Sequence, residues 1–196
     1  MTAVGIALIV AGVTTGVVAL VALHALPTGL SPVRNPVSQY GITRYRTGYR
    51  VQTIAYGVAG LGAAIGISTL PVASAVVVGF CGLFAVARTA NRWFPMDVPG
   101  GDRTRTGRRH GLLAICAFGA VGIAAAKLPN LVDHGHLHPA IAAASGVLAL
   151  VMVASFVAMG IERRARAGYF GLIERAFYGA MTAWLLVVAV LLARPG

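Results

Sequence analysis

The chain has 196 residues, of which 58% are hydrophobic and only 11% are charged, and its mean hydropathy of +0.81 is far too high for an ordinary soluble domain. The formal net charge of +11 raises nucleic acid as a partner, since a basic chain attracts polyanions at long range. However, the arginines stand at the ends of apolar segments, and no basic run interleaved with aromatics sits on a soluble domain, so no nucleic-acid partner is expected.

The apolar residues come as long blocks joined by short polar connections, and a bilayer core takes roughly 20 residues per spanning helix. The expected fold is all-α: a polytopic integral membrane protein whose single domain, residues 1–196, is a bundle of six transmembrane helices.

The first segment covers about residues 2–26, with no charge and one histidine, His24, near its end. A signal peptide opens with a basic region and precedes a soluble chain. Here the opening is MTAVG and five further apolar segments follow, so the segment reads as a retained helix. The second, about 48–70, contains Gly57, Gly60, Gly62 and Gly66. In lipid such glycines let backbones approach closely, which predicts a central position in the bundle.

Pro71 marks a short connection to the third segment, about 72–93, which must therefore run antiparallel to the second. The fourth covers about 106–128, the fifth about 139–161 and the sixth about 170–192. Thr104 or Thr106 suits the N-cap of the fourth helix, and Pro139 suits the first position of the fifth. Cys81 and Cys116 lack the close Cys or His neighbours of a zinc site and read as packing residues. The connections after the first and third segments are both long, basic and proline-containing, which leaves a two-fold repeat of three helices open, without a residue-by-residue alignment to establish it.

Fourteen of the sixteen basic residues fall in or beside the connections after the first, third and fifth segments; the other two are Lys127 and Arg194. By the positive-inside rule these odd connections face the cytoplasm, and both termini face outward from the cell's inner (plasma) membrane.

The densest polar stretch is RTANRWFPMDVPGGDRTRTGRRHG, from Arg88 to Gly111. Arg88, Asn91 and Arg92 are spaced i, i+3, i+4 and share one face of the third helix. Arg88 lies deepest, where an unpartnered charge is costly, with roughly 2.5–3.5 kcal/mol at the membrane centre as the ceiling on insertion scales. One reading is a snorkelling arginine with Glu174 or Asp97 as its ion-pair partner. The other is an arginine that binds the phosphate or carboxylate of a ligand.

Beyond it, Pro95, Pro99, Gly100 and Gly101 end the third helix, Trp93 and Phe94 suit the headgroup level, and Asp97 and His110 flank the connection. The first connection, PTGLSPVRNPVSQYGITRYRTGYR, is too long for a tight turn. It reads as a loop packed over the end of the bundle, with Arg44, Arg46 and Arg50 on lipid phosphates. In a sharper reading it brings Ser38 to Asp97 and His110, a hydroxyl, a carboxylate and a base arranged for nucleophilic catalysis, although no GxSxG elbow accompanies it.

After the fourth segment, KLPNLVDHGHLHP holds Asp133, His134, His136 and His138. In an extended segment, imidazoles at a spacing of two can share a zinc or copper ion, whereas a loop this short usually displays them to water. A bis-histidine haem needs histidines on facing helices. His24 and His110 lie near one membrane edge, but deeper partners are absent, and no cofactor is expected.

The serine and glycine of PVSQYG, the FPMD after the third segment and the histidine opening the fourth together resemble the bacterial and archaeal integral membrane family catalogued as domain of unknown function 998. The resemblance covers the whole chain through its six-span layout. Ser38, Gly41, Phe94, Pro95, Asp97 and His110 are the matching positions. It implies a fold and no activity.

A more distant similarity is to the FRAG/DRAM/Sfk six-span membrane proteins, some of which are linked to lipid organisation or lipid-anchor remodelling. Their first connection is usually drawn on the non-cytoplasmic side, and the basic connections here depart from that.

The resulting expectation is a bundle that binds or moves a lipid or another amphipathic small molecule through a cytoplasmic-side polar site of Arg88, Asn91, Arg92 and Glu174. The alternatives are a membrane-embedded hydrolase or transferase using Ser38, Asp97 and His110, and a structural membrane subunit with a closed bundle. Membrane lipids are the expected partners, with a homo-oligomer or a membrane partner left open.

Overall fold

The computed structural model describes residues 1–71, 73–130 and 138–194. Its elements are α1 (Thr2–Ala25), a three-ten turn (Val37–Ile42), α2 (Arg46–Ile67), α3 (Ala75–Ala90) running into a three-ten turn (Asn91–Trp93), α4 (Arg105–Lys127), α5 (Pro139–Ala165) and α6 (Phe170–Ala193). No strand occurs among the described residues.

The expected segments match these helices with local shifts at their ends. α3 starts at Ala75 because Ser74 caps it, its Oγ accepting from the Val77 amide at 3.4 Å. α5 continues to Ala165 and stops where Arg166 takes a left-handed conformation, φ 56°. Thr104 caps α4, its Oγ1 accepting from the Gly107 amide at 2.9 Å, and Pro139 opens α5.

Five of the six helices, α2 being the exception, are long and apolar enough to cross a membrane. α2 carries Arg46, Arg50, Gln52 and Thr53, which lower its hydropathy. It is nevertheless a core element, burying Gln52, Thr53, Tyr56, Ala59 and Ala63 among others.

The reason α2 can be so deeply placed is its small residues. A Cβ added at Gly62 would come within 2.7 Å of the Gly5 carbonyl oxygen, and one added at Gly12 of α1 within 2.7 Å of the Ala59 amide nitrogen. The two backbones therefore touch along an antiparallel seam, gaining van der Waals contact that side chains would prevent. Gly57 and Gly60 do the same for α3, lying against Thr89 and Phe84. The GxxxG step Gly62–Gly66 is thus used inside the chain, Gly62 against α1 and Gly66 against Leu192 of α6.

On the other side, Trp184 of α6 is fully buried and donates from Nε1 to Ser145 Oγ at 2.8 Å. Ser145 in turn donates to the Ala125 carbonyl at 2.9 Å. This relay satisfies three polar groups in an apolar interior and ties α4, α5 and α6 together. Cys81 is buried as expected, but Cys116 is exposed on α4, because its position on that helix turns it away from the bundle.

The first, third and fifth connections gather at one end, the basic end. There the first connection is packed over the bundle: Val37 and Tyr40 are buried, and the Leu172 amide donates to the Val33 carbonyl at 2.9 Å. Gly171 permits this close approach, since a Cβ there would lie 2.6 Å from the Pro32 carbonyl oxygen.

Candidate functional site

Helix periodicity places Tyr49, Gln52 and Tyr56 on one face of α2 and Glu174 and Tyr178 on one face of α6. The last turn of α3 presents Arg88, and the three-ten turn that follows presents Asn91, between them. Arg88 and Asn91 are each 1% exposed and Gln52 is fully buried, so the cluster is held inside the protein.

The Arg88 guanidinium donates from Nη2 to Gln52 Oε1 at 2.7 Å and to the Tyr178 hydroxyl, and its carbon stands 5.2 Å from the Tyr178 ring centroid. Both partners are neutral. The expected ion-pair partners are turned elsewhere: Glu174 accepts from the Val37 amide at 2.6 Å, and Asp97 Oδ1 accepts from the Thr104 hydroxyl at 2.6 Å and from its amide at 3.2 Å. Glu174 is drawn to the first connection by the amide at the start of its three-ten turn. Asp97 lies beyond the turn that ends α3 and is drawn to the N-terminus of α4, where a negative charge meets the helix dipole.

Around Arg88, several buried polar atoms have no hydrogen-bond partner among the described residues: Arg88 Nε, Gln52 Nε2, the Tyr49 hydroxyl, and both the nitrogen and oxygen of the Asn91 amide. Natural proteins satisfy nearly all such groups, and each orphan costs about 1–3 kcal/mol. Most of these atoms are N–H or O–H donors, and they surround a guanidinium without an anionic hydrogen-bond partner. That is the chemistry of an oxyanion site.

Of the residues singled out in the sequence, Arg88 and Asn91 meet here. Arg92 turns outward and stacks over Trp93, 4.6 Å from its centroid. Glu174 is buried at the same end but is engaged by Val37.

Ser38, Asp97 and His110 come to the same end without hydrogen bonds to one another. Ser38 donates to the Met96 sulfur at 3.2 Å, and His110 Nδ1 bonds to the Phe94 carbonyl at 2.8 Å. The Ser38–Met96 contact does bring the first connection against the loop that carries Asp97.

His134 and His136 lie outside the described residues. His138 caps α5, its Nδ1 accepting from the Ala140 amide at 3.2 Å. Among the described residues no group of three or more His, Cys, Asp or Glu side chains is placed to hold a metal.

Sequence reading did not select Tyr49, Gln52 or Tyr178. The available signal was a glutamine and tyrosines at i, i+3 and i+7 inside an apolar block, with a matching Glu174/Tyr178 pair at i, i+4. Nor did it select Arg175, which donates from Nε to His24 Nε2 at 2.7 Å and from Nη1 to the Asn35 carbonyl at 3.0 Å and the Gly171 carbonyl at 2.9 Å.

The model of one protein family, described as protein of unknown function (DUF998), matches residues 1–191. No curated protein and no solved structure matches the chain. The chain belongs to the DUF998 family.

Proposed function

We propose that this DUF998 chain crosses the plasma membrane six times, α2 included, with the basic end in the cytoplasm and both termini outside, and that it binds or moves an anionic amphipathic molecule, a lipid above all, through the Arg88 site. The distribution of basic residues supports the orientation, since 14 of 16 belong to the odd connections and the helix ends beside them. α2 crosses despite its lower hydropathy because Gln52 and Thr53 are buried, the exposed Arg46 and Arg50 lie in its first turns at the basic end, and its glycines face α1, α3 and α6.

The observation that carries the binding reading is the buried, donor-rich surround of Arg88. A guanidinium that had only to be neutralised would sit against a carboxylate, yet the Glu174 carboxylate of the same end is bonded to a backbone amide. The anion completes the set: a phosphate or carboxylate oxygen takes Arg88 Nε together with the amide hydrogens of Gln52 and Asn91. Arg92, half-buried and stacked on Trp93, supplies positive charge at the membrane edge.

The test is native mass spectrometry of the protein purified in mild detergent, comparing wild type with Arg88→Ala and Asn91→Ala. A co-purified anionic lipid in the wild type that is lost from both variants is the expected result. Asn91→Ala keeps the test sound if Arg88→Ala does not fold. A wild type that carries no lipid, or variants that keep it, contradicts the reading.

A second reading, a membrane-embedded hydrolase or transferase, draws on the Ser38–Met96 contact, which sets a hydroxyl beside the loop of Asp97, on a residue two positions from the His110 partner Phe94. It requires the three side chains to converge when substrate binds. Covalent labelling of Ser38 by a serine-directed phosphonate, abolished in His110→Ala, is its expected signature.

A further inference from the structure

A cleft of about 360 Å³ lies between α1, α2 and α6, near the lower end of the ~300–1,000 Å³ of small-molecule pockets. It opens on the outer surface of the bundle, where Val17, Val21 and Leu186 are exposed. Its walls are mostly apolar. The polar groups along it are the hydroxyls of Tyr56 and Thr182, bonded to each other at 2.7 Å, the Tyr178 side chain, and Arg175.

Arg175 gives the cleft a charged end. Its hydrogen-bond partners are the His24 imidazole, the carbonyls of Asn35 and Gly171, and the Tyr40 hydroxyl at 3.5 Å, so none of them is an anion. The cleft on the other side of α1, about 270 Å³ against α2, has no charged residue in its lining. Of these two clefts, the α1/α6 one pairs an apolar wall with a cation, which is the complement of an amphipathic anion.

Tyr178 belongs to both features. It lines the cleft, while its hydroxyl accepts from Arg88. One tyrosine therefore stands between the outer cleft and the orphaned donors around Arg88, and a tyrosine side chain moves with only two torsions.

Resting on the reading of the Arg88 cluster as an anion site, we infer that the α1/α6 cleft is the lipid-facing half of that site. A single acyl chain of an anionic lipid lies against Val17, Val21, Ala183 and Leu186. Its head is drawn past Arg175 and replaces the Tyr178 hydroxyl as the partner of Arg88. The ligand approaches sideways, from the bilayer, and not from water through the basic end.

Gly179 provides a clean test. It lines the cleft, and a Cβ there meets nothing within 4 Å, so Gly179→Leu places its side chain in the cleft, and inorganic phosphate binding by the variant reports whether the adjacent Tyr178 and its partner Arg88 keep their arrangement. Gly160 of α5, where a Cβ also meets nothing within 4 Å, takes the same substitution as a control away from the cleft.

Detergent-solubilised wild type, Gly179→Leu, Gly160→Leu and Asn91→Ala are equilibrated with phosphatidylglycerol, phosphatidylcholine or inorganic phosphate, and occupancy is read by native mass spectrometry. The expected result is phosphatidylglycerol on wild type and Gly160→Leu, an affinity lower by about tenfold or more in Gly179→Leu, weaker binding of phosphatidylcholine, and inorganic phosphate binding that Gly179→Leu leaves unchanged.

Phosphatidylglycerol held equally by Gly179→Leu and wild type overturns the cleft. If Asn91→Ala loses the lipid in the same spectra, the Arg88 reading survives that failure. Wild type that takes inorganic phosphate but no lipid overturns the acyl-chain assignment. Wild type that takes neither overturns both.

Discussion

The carboxylate of Glu174 accepts a 2.6 Å hydrogen bond from the amide of Val37, 137 positions earlier in the chain. It is the buried pin between α6 and the first connection, and it leaves the neighbouring guanidinium of Arg88 with neutral partners. Two opposite charges at one end of the bundle are thus each engaged by a different partner, and the cation is the one with unused donors around it.

Removing that pin leaves the Val37 amide without its acceptor in a buried site. Glu174→Ala is expected to destabilise the protein by about 1–3 kcal/mol. Glu174→Gln, which keeps an acceptor oxygen, is expected to lose clearly less. Thermal unfolding in detergent of the two variants beside wild type measures the difference, and equal losses would show that the Val37 bond contributes little.

His24 offers a spectroscopic check on the basic end. An arginine Nε only donates, so His24 Nε2, 2.7 Å from Arg175 Nε, must accept. Nδ1, 2.6 Å from the Leu20 carbonyl, must then carry the ring proton. Nitrogen-15 spectra of the imidazole at neutral pH are expected to show protonated Nδ1 and bare Nε2, with the Nε2 resonance shifting in Arg175→Ala, where its donor is lost, while Nδ1 keeps its bond to Leu20. A wild-type ring protonated on Nε2 rules out the Arg175 contact.

The seam between α1 and α2 predicts a positional contrast among glycines. At Gly12 a Cβ would lie 2.7 Å from the Ala59 amide nitrogen, whereas at Gly146 of α5 it meets nothing within 4 Å. Gly12→Ala is expected to cost about 1–3 kcal/mol by overpacking. Gly146→Ala is expected to be neutral or stabilising because alanine favours the helix. Melting temperatures of the two variants decide it, and the prediction fails if they move together.

The Trp184–Ser145–Ala125 relay predicts a loss that size alone does not explain. Ser145→Ala removes one oxygen but leaves the buried Trp184 Nε1–H and the Ala125 carbonyl without their side-chain partner. A destabilisation of about 1–3 kcal/mol is expected, largely relieved when Trp184→Phe is added, because the orphaned donor is then gone. A double-mutant cycle on thermal unfolding measures the coupling, and simple additivity of the two losses would count against the relay.

Much of the architecture is legible in the sequence. Long apolar blocks specify helices by length and composition, Ser/Thr and Pro signals locate their starts, and the glycines of α2 announce close packing, all of which are local properties of the chain. The concentration of basic residues around the odd connections, the presence of Arg88 and Asn91 on one helical face and the family resemblance carried by Ser38, Asp97 and His110 were equally readable.

What the fold alone decided is which faces meet. Periodicity puts residues on a helix face, but the rotation of each helix about its axis follows from side-chain packing along the whole bundle. For this reason the partners of Arg88 came from 36 and 90 positions away, Gln52 and Tyr178, and not from the acidic residues that charge alone nominates. The same packing turned Asp97 onto Thr104, His110 onto the Phe94 carbonyl and Ser38 onto Met96, and it set Tyr178 between an outer cleft and a buried cation.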